Sequence, residues 1–126
     1  MVSDENGRIL VVDDDALIRD TLATALSDEG YAVRVAQDGQ AALDTLDTWK
    51  PDLIVLDLMM PVMDGQAFRA AQRSRDSASD IPVIVLSAAH NVQARAANLG
   101  AAEVFPKPFD LTALLAAVER NVRGVA

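Results

Sequence analysis

Asp52-Leu53-Ile54-Val55-Leu56-Asp57 sets four large apolar residues in a row between two carboxylates. A strand with one face in water alternates apolar and polar residues. An unbroken run of this length fits a strand covered on both faces, as in a parallel sheet. The same design recurs upstream, where Ile9-Leu10-Val11-Val12 stops abruptly at Asp13-Asp14-Asp15. It recurs again downstream, where Pro82-Val83-Ile84-Val85-Leu86 runs into Ser87. Each run ends on a polar side chain at the point where a buried strand surfaces.

Between these runs the apolar period changes from continuous to helical. Ile18, Leu22 and Leu26 recur every four positions within Ala16 to Glu29, and Gly30 follows where a helix end needs a residue tolerant of positive φ. Tyr31, Val33 and Val35 alternate with Ala32 and Arg34 as a second strand. Asp38-Gly39 then marks a turn into a helix from Gln40 to Thr48 carrying Leu43 and Leu46. Beyond the Asp57 strand, Pro61 and Asp64-Gly65 punctuate a loop before a helix from Gln66 to Ser74. An Ala-rich fourth helix, Asn91 to Leu99, has only Val92 and Leu99 as large anchors, and Gly100 closes it. A short fifth strand, Glu103 to Pro106, leads to a last helix from Asp110 to Arg123. There Leu111, Leu114, Leu115, Val118 and Val122 fall on one stripe.

Five strands alternating with five helices predict an α/β fold, a parallel sheet flanked on both faces by helices, because crossover connections carry each helix over the sheet. At 126 residues one domain is expected over 1–126, with a core from about 8 to 123. The chain is 51% hydrophobic but only 4% aromatic, so Ala, Val, Leu and Ile must build the core. A formal charge of -8 would repel a phosphodiester backbone, which argues against direct nucleic-acid binding. The absence of Cys excludes disulfides, thiolate metal sites and a Cys nucleophile. The polar, acidic first residues and the lack of a run near the ~20 apolar residues of a membrane helix lead to the expectation of a soluble, cytoplasmic protein.

In open parallel sheets, functional groups gather at the carboxyl ends of the strands. Here those ends carry Asp13 and Asp14 after the first strand, Asp57 after the third, Ser87 after the fourth and Lys107 after the fifth. Three carboxylates at one edge repel one another unless one protonates or a cation neutralises them. A hard, oxygen-liganded divalent ion such as Mg²⁺ suits that set. Asp14 and Asp57 are assigned as direct ligands, Asp13 as a ligand through water, and the backbone carbonyl of Met59 as a third protein oxygen. Asp57 then stands as an acceptor for a phosphoryl group, with Lys107 and the Ser87 hydroxyl placed for two of its oxygens. A Mg²⁺-dependent phosphatase would call for a second acid–base carboxylate two residues beyond Asp57, where Met59 stands.

This pattern resembles the receiver domain of two-component response regulators from Arg8 to about Arg123. Val11-Val12-Asp13-Asp14-Asp15 is similar to the family's acidic pair. Asp57-Leu58-Met59-Met60-Pro61 followed by Met63-Asp64-Gly65 resembles its phosphoacceptor loop, and Lys107-Pro108-Phe109 its lysine and proline. The resemblance implies a flavodoxin-like, doubly wound sheet of strand order 2-1-3-4-5 and a cis peptide before Pro108. It further implies a phosphorylation-controlled signalling switch that is no conventional enzyme and catalyses only its own phosphorylation and dephosphorylation at Asp57. The implied donor is a sensor histidine kinase or phosphotransfer protein. The implied output is an effector read through the face of the fourth helix, fifth strand and fifth helix, where a phosphorylation-dependent homodimer can form. Families of this kind carry an aromatic residue three positions before the lysine. Here that position is Val104, and period two turns the adjacent Phe105 to the opposite face.

Other features read more plainly. Any one of Asp13, Asp14 or Asp15 taken alone is a helix cap. Asp64-Gly65 is a turn, and the single histidine, His90, is an exposed residue beside a helix start. Met59, Met60 and Met63 pack a loop, and Trp49 and Tyr31 pack at the sheet edge or helix ends with no basic residue interleaved.

Overall fold

The computed structural model describes residues 7–57, 65–75, 80–87 and 100–123. In chain order these hold β1 (Arg8–Val12), α1 (Ala16–Asp28), β2 (Ala32–Ala36), α2 (Gly39–Leu46), β3 (Leu53–Asp57), α3 (Gly65–Arg73), β4 (Val83–Ser87), β5 (Glu103–Pro106) and α4 (Leu111–Arg123). The last of these is the fifth helix of the sequence pattern. The expected Ala-rich helix at 91–99 lies outside the described residues, as do Met59, Met60, Met63, Asp64 and His90.

The five strands form one sheet in the order β2-β1-β3-β4-β5, every pair parallel. The continuous apolar runs become its inner strands: β3 and β4 are buried along their whole length, and β1 from Ile9 onward. Side chains alternate between two cores. Leu10, Val12, Ile54, Leu56, Val83 and Val85 face α2 and α3, where Ala42, Leu43, Leu46 and Phe68 cover them. Ile9, Val11, Leu53, Val55, Ile84 and Leu86 face α1 and α4, under Leu22, Leu26, Leu114, Ala117 and Val118. A run with no polar break is therefore what a central strand needs, because both of its faces meet helices.

The edge strands differ. β2 buries Tyr31 just ahead of it and half-buries Val33, but Val35 is 45% exposed, contrary to the alternation that puts all three on one covered face. An edge strand has a neighbour on one side only, so its flank is less completely covered. Trp49 packs against the α2/α3 core, but basic residues do lie against its ring, contrary to expectation. Arg34 lies 5.0 Å and Arg8 5.8 Å from the centroid of its ring. Sequence positions 8, 34 and 49 meet only because β1 and β2 pair, and each cation–π contact is worth about 0.5–1 kcal/mol at such a site.

Helix ends follow local chemistry. Asp15 caps α1, its Oδ1 accepting from the backbone N–H groups of Leu17 and Ile18. At the other end Gly30 adopts φ +93°, while its N–H reaches the Ser27 carbonyl and the Tyr31 N–H the Leu26 carbonyl. This is a Schellman close, completed by apolar contact between Leu26 and Tyr31 in one core. Asp38, read as part of a turn, is the N-cap of α2, and Gly39 opens that helix. Under α3, Arg69 is only 7% exposed and donates to the Gln72 side chain at 2.7 Å. Gln72 donates in turn to the carbonyl of Ile81, just ahead of β4. The apolar pattern carries no trace of this polar tie.

Leu22 is fully buried between α1 and the sheet, whereas Leu17 on the same helix is 74% exposed. Leu22→Ala is expected to lower the unfolding free energy in urea by about 2–5 kcal/mol. Leu17→Ala should stay within about 0.5 kcal/mol of wild type.

Candidate functional site

Strand register brings the polar ends together. Val12 pairs with Ala36 on one side and Leu56 on the other, Asp57 with Leu86, and Ser87 with Pro106. Asp13, Asp57, Ser87 and Lys107 therefore surface along one edge of the sheet. Four separate strands place them, so their separations are set by the ladder and not by a loop.

Asp13 is fully buried and tied at every polar group. Its N–H donates to the Ala36 carbonyl at 3.1 Å, and Oδ1 accepts from the Asp15 N–H at 2.9 Å. Oδ2 accepts from the Lys107 ammonium at 2.9 Å, and the carbonyl accepts from the Arg19 guanidinium at 2.8 Å. Asp57, 3% exposed, has its Oδ2 3.5 Å from the same Lys107 Nζ. Asp14 is exposed, and its carboxylate makes no hydrogen bond or ion pair among the described residues. Ser87 is fully buried at the end of β4, and its carbonyl accepts from the Lys107 N–H at 2.9 Å. The Lys107–Pro108 peptide is cis, as the resemblance implied.

Asp13, Asp14 and Asp57 each offer a carboxylate oxygen within 4.8 Å of the others. Among the described residues these three carboxylates face the Lys107 ammonium, with the Arg19 guanidinium held on the Asp13 carbonyl, so the carboxylates outnumber the cations. A hard divalent cation matches both the all-oxygen donor set and that charge. The fit has one constraint: Oδ2 of Asp13 already holds Lys107, so an ion would share this carboxylate with the lysine or reach it through water. The Met59 carbonyl, assigned as a further ligand, lies outside the described residues.

Burial acts most strongly on Lys107 and by itself would lower its pKa. The hydrogen bond to Asp13 and the charges of Asp57 and Asp13 together outweigh it, so the pKa lies above the ordinary lysine value. The ammonium is therefore the working form throughout the neutral range.

Sequence pattern found the two Asp positions, Ser87 and Lys107 because each terminates an apolar run. It missed Arg19, which lies on α1 in no motif, and whose side chain returns across the cap to the end of β1. A basic residue one turn into a helix that starts in an acidic pair was the only available signal.

The chain matches the model of the response regulator receiver domain over residues 9–119, and it belongs to that family. Among its relatives are the response regulators MprA of Mycolicibacterium vanbaalenii, 45% identical over 118 residues, and of Mycobacterium avium, 44% identical over 118 residues. Both alignments take in 92% of this chain, but only 50% and 51% of those proteins, so the chain spans about half the length of these curated relatives. Among solved structures, the receiver domain of the Francisella response regulator 1452 superposes with a TM-score of 0.87. It is 30% identical and covers 95% of this chain and 99% of that one. The chemotaxis protein CheY4 of Vibrio cholerae gives 0.83 at 32% identity, covering 90% and 96%.

Because the folded-state pKa of Lys107 lies above its unfolded value, its contribution to stability is complete below the ordinary lysine pKa. It is lost as pH rises through the raised one. Urea unfolding across the alkaline range should show a loss of stability above the ordinary lysine pKa that Lys107→Met lacks. The ¹³Cε resonance of Lys107 should titrate later than that of the exposed Lys50, the one other lysine of the chain.

Proposed function

We propose that Asp57 is the phosphoacceptor of a cytoplasmic signalling switch formed by a single domain with its core at about 8–123. The observation that carries this reading is the shared ammonium: Lys107 sits 2.9 Å from Asp13 and 3.5 Å from Asp57, beside the exposed Asp14, which has no partner among the described residues. In the proposed step an Asp57 carboxylate oxygen forms a new P–O bond as phosphorus separates from its donor, which leaves with the electron pair. The donor is a phosphohistidine of a sensor kinase or phosphotransfer protein, or a small acyl phosphate. Lys107 turns from the carboxylates to one phosphoryl oxygen and the Ser87 hydroxyl donates to another. Asp13, Asp14 and Asp57 would hold Mg²⁺, which when bound supplies positive charge against the phosphoryl oxygens. The only catalysis in this reading is the gain and loss of the phosphoryl group at Asp57, and any output belongs to a downstream effector.

How a phosphoryl group at Asp57 reaches the surface is the less common part. Val104 packs with the α2/α3 core and Phe105 with the α1/α4 core, so the opposite-face expectation for this pair holds. On β5 itself, the face that Val104 occupies carries no aromatic residue. Nearby, Glu103 on β5 is held by Arg120 of α4 through Nη2–Oε1 at 2.7 Å and by Asn121 at 2.7 Å. The bond from Arg120 holds the Glu103 carboxyl below the usual carboxylate range. A partner, or a second copy in a phosphorylation-dependent homodimer, that reads this face meets charges already paired within the chain.

Acetyl phosphate with Mg²⁺ should add one phosphoryl group to the wild type, seen by intact-protein mass spectrometry. Asp57→Asn should reduce that incorporation by at least about tenfold, since the amide is a far poorer nucleophile than the carboxylate. Undiminished incorporation in Asp57→Asn would sink the assignment. Beryllofluoride should shift backbone resonances along β5 as well as at the site if the domain is a switch. Shifts confined to the site would mark a phosphate store instead.

A further inference from the structure

We infer that Arg19 is a positioning residue for the metal side of the site, fixing the peptide plane that joins Asp13 to Asp14. The inference rests on the reading of that acidic group as a Mg²⁺ site. Its guanidinium Nη1 donates to the Asp13 carbonyl at 2.8 Å, a charge-assisted bond in a half-buried setting. The base from which Arg19 reaches is itself rigid: its backbone N–H donates to the Asp15 carbonyl at 3.0 Å, and the Asp15 side chain caps α1.

The contact matters because of what lies on either side of it. Beyond Val12 the pairing of β1 with β3 has ended, so the Asp13 carbonyl is past the last register pair on that side. The same peptide unit carries the Asp14 amide, and rotation of its plane redirects the Asp14 Cα. The Asp13 carboxylate is anchored independently through Oδ1 and Oδ2. The Asp14 carboxylate has no such anchor among the described residues, so its direction depends on the backbone that Arg19 holds. Groups that orient metal ligands from outside the coordination shell commonly change metal affinity by 10-fold to 100-fold when removed.

Charge alone predicts the opposite. Arg19 is a cation close to an acidic cluster, and deleting it should strengthen Mg²⁺ binding by Coulomb attraction. The sign of the effect thus separates a positioning role from a merely electrostatic one, and a purely structural role would leave affinity unchanged in a folded variant.

Mg²⁺ titration calorimetry on the full chain is the test, with circular dichroism melts to verify folding. Arg19→Met keeps the aliphatic stem and removes donors and charge; it is expected to bind Mg²⁺ about tenfold more weakly than wild type. Arg19→Lys, which restores one donor, should recover part of the loss. In the metal-free protein, amide hydrogen exchange at Asp14 and Asp15 should quicken in Arg19→Met. Equal or tighter Mg²⁺ binding by Arg19→Met overturns the inference while leaving the metal site standing. Failure of the wild type to bind Mg²⁺ overturns the site reading and the inference with it. If Arg19→Met does not fold, Arg19→Gln, whose amide is too short to span to Asp13, takes its place, and wild-type affinity there overturns the inference.

Discussion

The ammonium of Lys107 between Asp13 and Asp57 is the contact on which the carboxyl edge of the sheet depends. Asp13 is fully buried and Asp57 nearly so, and a buried carboxylate without a counter-charge is strongly unfavourable. One lysine delivered from the end of β5 meets both, while the Ser87 carbonyl fixes the lysine backbone and the turn at Pro108 carries the chain onward. Because the three carboxylates outnumber the cations near them among the described residues, Lys107 and Arg19, the edge remains under-neutralised and suited to a cation or to a group that brings one. Stability and function pull against each other here. A site with balanced charges would suit the resting fold better but, on the proposed reading, would have nothing to offer a phosphoryl donor with its metal.

That edge exists because the inner strands are apolar throughout. A polar residue within β3 or β4 would have to be buried against helices on either face. Polar chemistry is therefore confined to the last position of each strand. The two cores hold the ladder in one register, and the register sets the spacing of the end groups. Packing many residues away from the site determines the geometry of Asp13 and Asp57, whereas the chemistry itself draws on a handful of side chains.

On the proposed reading, the link from Asp57 to the surface runs by way of β5. Asp57 and Lys107 are tightly linked, but β5 continues from them as an edge strand that is only half-buried, with Val104 and Phe105 turned to opposite cores. Val104 is small and β-branched, with little freedom to swing between two positions, unlike a large ring that can occupy either a buried or an exposed rotamer. The Glu103–Arg120–Asn121 cluster adds a fixed surface tie beside it.

By itself the sequence determined the alternation of strands and helices across the described residues, the two-sided burial of the central strands, and the identity of the end groups Asp13, Asp14, Asp57, Ser87 and Lys107. These are legible because hydrophobic period and abrupt polar ends are local properties, encoded within a few residues. The shift of Asp38 from turn to cap is within the latitude that local pattern leaves, since an Asp before a Gly serves either role. Only the tertiary structure decided that Lys107 would bond Asp13 more closely than Asp57, that Arg19 would close on the Asp13 carbonyl, that Arg8 and Arg34 would flank Trp49, and that Arg69 would be buried with Gln72. Each of these depends on the pairing of distant strands, or on the path of a long side chain across its neighbours, and neither leaves a period in the chain.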